Sequence, residues 1–210
     1  MIDKKSSNYL FDFLVYEVLI PWIEIQREIL GKSKIIASGV DAWGTIPSIN
    51  LDIMRDYIIP SCKKINNYLP DTYISGLGGE CYLNNLEDVY EYLDLKRYIN
   101  PYVIKAFEDD IDKYGINIYL DYAAKYNMDL LVGINADTIL NKELSYIEEK
   151  IEGFANSYFK SNGIKEEKNK LILYLNDIPP SISIRKLKKI IGFIKNCNNL
   201  FKGEANDFKR

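Results

Sequence analysis

The chain reads as an α/β protein assembled from about five parallel βα units. Short apolar runs and amphipathic stretches alternate along its length. Each run is too short for a helix. After each run comes a polar loop, then a segment with apolar residues near every third or fourth position.

Residues 8–30 predict a long helix, with Asn8 as its cap and Gly31 as its stop. Pro21 marks a kink or the start of its second half. KIIASGV (34–40) ends in small residues and fits a buried parallel strand. After the loop DAWGTIPSIN, residues 51–69 are helical. TYISGL (72–77) is a strand, GGECYLNN a loop and LEDVYEYLDL a helix. PYVIKAF (101–107) is a strand, EDDIDKYG an acidic connection and INIYLDYAAKYN a helix. DLLVGIN (129–135) is a strand, ADTILNKE a connection and LSYIEEKIEGFANSYFKSN a helix. KLILYL (170–175) is the last strand, followed by the loop NDIPPS and a helix over 182–196. A single domain is expected over 1–197, with 198–210 as a flexible tail. Two closures stay open. One is a doubly wound sheet, complete at five strands; the other is part of a (β/α)8 barrel, which needs eight strands and typically about 250 residues. No GxGxxG or Walker A pattern follows any strand, which weakens a nucleotide-binding reading.

Composition narrows the chemistry. The 210 residues are 47% hydrophobic, so the chain is not disordered as a whole. With 27 basic and 30 acidic residues the net charge is −3, which argues against a nucleic-acid partner. There is no histidine. That excludes Ser-His-Asp and Cys-His catalysis, imidazole metal ligands and an imidazole pH switch. Cys62, Cys81 and Cys197 form no CxxC and no disulfide framework, so a reducing cytoplasm is expected. The opening MIDKKSSN has no signal-peptide organisation. The apolar stretch Leu10–Ile25 carries Asp12, Glu17 and Glu24, and is shorter than the ~20 apolar residues of a membrane span, so no membrane partner is expected.

The C-terminal third, INADTILNKELSYIEEKIEGFANSYFKSNGIKEEKNKLILYLNDIPPSISIRKLKKIIGFIKN, resembles the end of the uroporphyrinogen decarboxylase superfamily. That superfamily includes the corrinoid- and coenzyme M-dependent methyltransferases. The shared pattern is a helix, an apolar strand, a loop with Ile-Pro-Pro and a final helix. IASGVDAWGTIPSINLDIMRDYIIPSCKKI resembles an earlier piece of the same pattern, so the similarity spans roughly residues 34–196. The family fold implies a partial (β/α)8 TIM-type barrel lacking its N-terminal strands, with the decarboxylase's arginine-rich signature and its aspartate absent. Either the gene is truncated or split, or a short descendant completes its sheet as a homodimer or with a partner chain. Open edges are then expected near residues 34–38 and 170–175, an association liability.

The resemblance implies decarboxylation of a tetrapyrrole or corrinoid-linked methyl transfer on a small-molecule substrate. It implies no cofactor other than a corrinoid carried by a partner protein. The methyltransferase branch holds zinc with His-x-Cys and a later Cys; the matching positions here are Tyr73, Ser75 and Asn176, none a good zinc ligand. The inherited reaction is therefore expected to be lost.

Active sites of parallel βα folds lie at the C-terminal ends of the strands. Those ends carry Asp41 and Trp43, then Glu80 and Cys81, then Glu108, Asp109 and Asp110, then Asn135 and Asp137, then Asn176 and Asp177. Convergence of these carboxylates would suit a hard cation, a cationic substrate or a general acid; otherwise they are solvated tips and helix caps. Asp41, Glu80 and Asp177 are the catalytic candidates. Trp43, Tyr73, Ser75, Asn135 and Asn176 are the substrate-binding candidates. No metal site is expected, with Cys81 the weak candidate. SGLGG (75–79) is either a phosphate cradle or a turn required by geometry. The basic run 185–189 is either a solvated face or an anion patch.

Overall fold

A computed structural model of the chain describes residues 3–30, 38–39, 46–68, 73–74, 77–162 and 169–200. The chain divides into two compact units, Met1–Pro101 and Tyr102–Arg210. The tail beyond Leu200 lies outside the described residues, and the last helix runs on past Cys197 to Leu200.

The first unit opens with α1 (Lys4–Phe13), a π-helical segment (Leu14–Leu19) and α2 (Ile20–Leu30), which run on as one helix. Its cap is Asp3 rather than Asn8: the Asp3 carboxylate accepts the Ser6 N–H at 3.2 Å. Pro21 accounts for the π segment. Proline lacks an N–H, and its ring crowds the carbonyl four residues back. The Ile20 N–H just before it bonds to the Val15 carbonyl five residues back, which widens the turn. The same device recurs in the second helix. There α3 (Leu51–Ile53), a π segment (Met54–Ile58) and α4 (Ile59–Tyr68) are continuous, and the Ile59 N–H bonds to the Met54 carbonyl just before Pro60. Val15, Ile20 and Ile65 form a buried cluster between the two helices, with Ile23 against it. The Phe11 and Tyr57 rings lie 5.9 Å apart, and Lys64 pairs with Asp12.

Strands β1 (Ser38–Gly39) and β2 (Tyr73–Ile74) pair in parallel, Ser38 opposite Tyr73. A 3-10 turn (Glu80–Tyr82) leads to α5 (Leu86–Ile99), whose cap Asn85 accepts the Asp88 N–H at 2.9 Å. Val89, Tyr92, Leu93 and Ile99 of α5 are fully buried.

The second unit holds three βα repeats. They are β3 (Val103–Phe107), α6 (Glu108–Tyr114) and α7 (Ile116–Tyr126); β4 (Asp129–Ile134), α8 (Ala136–Asn141) and α9 (Leu144–Asn162); and β5 (Leu171–Leu175) and α10 (Ile184–Leu200). The strands are parallel and lie in chain order, with Ile104 opposite Leu130 and Leu130 opposite Leu171. Ile104, Ala106, Leu130, Val132, Leu171 and Leu173 make one buried face. The opposite face carries Lys105, Phe107, Leu131, Ile172 and Tyr174, none of them buried.

Among the described residues, the five expected strands form two separate sheets, of two and three strands. Barrel closure is not shown. Consecutive parallel neighbours suit three staves of a barrel, and equally half of a doubly wound sheet. Two expected connections are helices instead. In EDDIDKYG, the Asp110 carboxylate accepts the Phe107 N–H at 3.3 Å, and three acids in the first turn of α6 complement its dipole. ADTILNKE forms α8 because a carboxylate from another loop caps it, which local sequence does not show.

The edge expected to be open at 170–175 is covered at its centre. The side-chain amide of Asn198 on α10 accepts the Leu173 N–H at 3.0 Å and donates to the Leu173 carbonyl at 3.1 Å. One amide thus stands in for a neighbouring strand. Asn198→Ala should expose both groups, lowering stability by about 1–2 kcal/mol in urea unfolding and increasing aggregation measured by light scattering.

Candidate functional site

At the C-terminal end of the three-stranded sheet, Glu108 organises the surrounding loops. It follows β3 directly and is 2% exposed. Its Oε2 accepts the Asn135 backbone N–H at 2.7 Å, and its Oε1 accepts the Thr138 hydroxyl at 2.7 Å. Those two donors sit at the start of α8, so Glu108 caps a helix of the next repeat. The Lys150 ammonium of α9 lies 2.6 Å from Glu108 Oε1 and 2.8 Å from Asp112 Oδ1. Burial alone would lower the Lys150 pKa, but hydrogen bonds to Asp112 and Glu108 more than offset it, and the pKa lies above its ordinary value. Asp109 accepts the Asn135 side-chain amide at 3.0 Å. Its pKa is raised, chiefly by burial and also by repulsion from Glu108, Asp110 and Asp112; the Asn135 bond opposes the rise.

On the more open sheet face, the Lys105 ammonium lies 4.7 Å from the Phe107 ring centre and 4.9 Å from that of Tyr174. Gly133 fits beneath the Tyr174 ring: a β-carbon there would come within 2.6 Å of the Tyr174 hydroxyl. Burial raises the Tyr174 pKa well above the usual phenol range, so this hydroxyl stays protonated and is 3.4 Å from Asn176 Oδ1.

In the first unit, Glu80 and Lys96 form a buried ion pair at 2.5 Å, at 0% and 5% side-chain exposure. The Lys96 ammonium also lies 5.5 Å from the Tyr92 ring centre, and the Tyr92 hydroxyl donates to the Gly78 carbonyl at 3.0 Å. Gly79 has φ +103°, and a β-carbon there would overlap the Ile46 carbonyl oxygen. Geometry therefore accounts for a glycine at the end of SGLGG.

The candidates fare unevenly. Asp41, Trp43 and Ser75 lie outside the described residues. Tyr73 is placed by its backbone in β2. Glu80 is enclosed in its ion pair, and Cys81 beside it is half-buried. Asn135 meets Glu108 and Asp109, while Asn176 meets Tyr174. Asp177 accepts the N–H of its neighbour Ile178 at 2.7 Å and is exposed. Of the two readings of the loop carboxylates, the described residues fit helix capping and local bonding. Glu108 and Asp110 act as helix caps, Asp137 accepts the Asn141 side chain, and the described residues contain no group of three or more metal-ligating side chains. In the basic run, Lys186 donates to the Leu140 and Lys142 carbonyls at the end of α8.

Sequence reasoning missed Lys105, Tyr174, Lys96 and Lys150. A lysine inside the apolar run PYVIKAF was the available signal for Lys105. Nothing local marked Lys96 or Lys150, whose partners lie 16 and 42 residues away.

Lys150→Met should leave the Glu108 charge buried without its cation, costing about 3 kcal/mol in urea unfolding at neutral pH. Because the folded Lys150 pKa is raised above 10.5, its contribution is complete below that pH and lost as pH rises through the folded value. Asp109→Asn keeps an acceptor for Asn135 and removes the repulsion. A raised carboxyl pKa means that the folded state holds the extra proton, so wild-type stability falls as pH rises through the acid range. The variant should lack that fall and gain up to about 0.5 kcal/mol at neutral pH, read by thermal melts across pH. No family model, curated protein or solved structure matches the chain.

Proposed function

We propose that the chain is a degenerate, barrel-type relative of the uroporphyrinogen decarboxylase and corrinoid methyltransferase superfamily, which binds a planar anionic small molecule without transforming it. The observation that carries the reading is the more open sheet face, where Lys105 lies between the rings of Phe107 and Tyr174 in a row of successive parallel strands. A cation between aromatic faces suits a conjugated carboxylate, such as a tetrapyrrole. The loss of chemistry follows from the donor set. Tyr73, Ser75 and Asn176 replace thiolate and imidazole, and Glu80 and Glu108 are held in ion pairs. If a partner chain extends the three-stranded sheet, it adds at β3, since Asn198 occupies the centre of the free β5 edge.

The test is an absorbance titration with a porphyrin octacarboxylate, beside a decarboxylation assay and metal analysis. The expected result is a Soret shift on binding, weakened about tenfold or more by Lys105→Ala, with no carbon dioxide release and no stoichiometric zinc. Turnover would overturn the non-catalytic reading, and an unchanged affinity in Lys105→Ala would overturn the site.

A further inference from the structure

The helix from Lys4 to Leu30 is about 40 Å long and buries only one side. Val15 and Ile20 face the α4 helix. On the other side Leu10, Leu14, Val18, Trp22, Ile25 and Ile29 are all exposed, from 39% at Leu14 to 76% at Ile29. Their spacing is four, four, four, three and four residues. Three four-residue steps would carry a stripe about 120° round an α-helix. The π segment between Leu14 and Leu19 takes up an extra residue and holds the stripe close to one line. The proline-driven widening therefore also aligns the exposed apolar residues.

The open area of these side chains is on the order of 600 Å², the upper end of what a monomer usually exposes in one patch. With the apolar residues on its flank it approaches the roughly 800 Å² per partner of a stable interface. We infer that this stripe is a self-association seam: two copies of the chain pair their Lys4–Leu30 helices antiparallel, stripe against stripe. Charge selects the direction. Antiparallel pairing leaves one like-charge meeting along the stripe, at Glu17. Parallel pairing would set every charge against its own copy. Antiparallel helix dipoles also attract. The helix holds Lys4, Lys5 and Arg27 against Asp12, Glu17, Glu24 and Glu28, a balance that gives no attraction to an anionic lipid surface. This inference is independent of the ligand proposed above, and it places association on a helix rather than on a sheet edge.

Sedimentation velocity on the full chain across a concentration series tests it. Wild type should be a dimer, and Ile25→Glu should raise the dissociation constant at least tenfold, with an unchanged far-UV spectrum because Ile25 is exposed. Ile29→Cys copies should form no disulfide-linked dimer under mild oxidation, because antiparallel pairing sets the two Ile29 positions at opposite ends of the seam. A wild-type monomer at every concentration would overturn the proposal. So would an Ile25→Glu dimer of unchanged affinity, or monomeric wild type co-sedimenting with phosphatidylcholine vesicles. Disulfide-linked Ile29→Cys dimers would overturn the antiparallel arrangement.

Discussion

The second unit depends on one buried carboxylate. Glu108 sits where β3 turns into α6, and it holds the first donors of α8 and the ammonium of α9 at the same time. Three elements from two successive repeats are fixed to a single side chain. The net energy of such a buried pair is small when both partners are present, because desolvation offsets attraction. Its consequence is positional. Both oxygens are satisfied by groups from the next repeat, which ties the loops at the C-terminal end of the sheet to one another.

That use of carboxylates bears on chemistry. A reacting acid must reach substrate and exchange a proton, whereas Glu108 and Glu80 are each enclosed with a lysine. Asp110 accepts the N–H of Phe107 just before its helix, and Asp137 accepts the side chain of Asn141 on its own. The more open face of the second unit's sheet carries Lys105 with Phe107, Leu131, Ile172 and Tyr174, groups suited to charge and contact area rather than to proton transfer.

The first unit shows a backbone constraint shaping a surface. Pro21 and Pro60 each follow an isoleucine whose N–H bonds five residues back, so both long helices stay continuous through a residue that normally breaks them. The cost of a wide turn is offset by burial of Val15 and Ile20 on one side. On the other side, the phase shift brings apolar residues into line.

Local pattern and composition already determined much of this protein. The helix Leu144–Asn162 has the limits that its apolar spacing predicts, and β3, β4 and β5 fall within a residue or two of their apolar runs. The lack of histidine excluded whole classes of catalysis before any contact was known. These features are legible because they depend on residues three or four apart, or on a residue type alone. Tertiary structure decided the rest. Whether ADTILNKE was a loop or a helix, whether Glu80 was an open acid or half of a buried pair, and whether the β5 edge was bare or capped by Asn198 all rested on partners distant in sequence. A carboxylate on a loop and one in an ion pair have the same one-letter code; burial and the cation brought to it by folding make the difference.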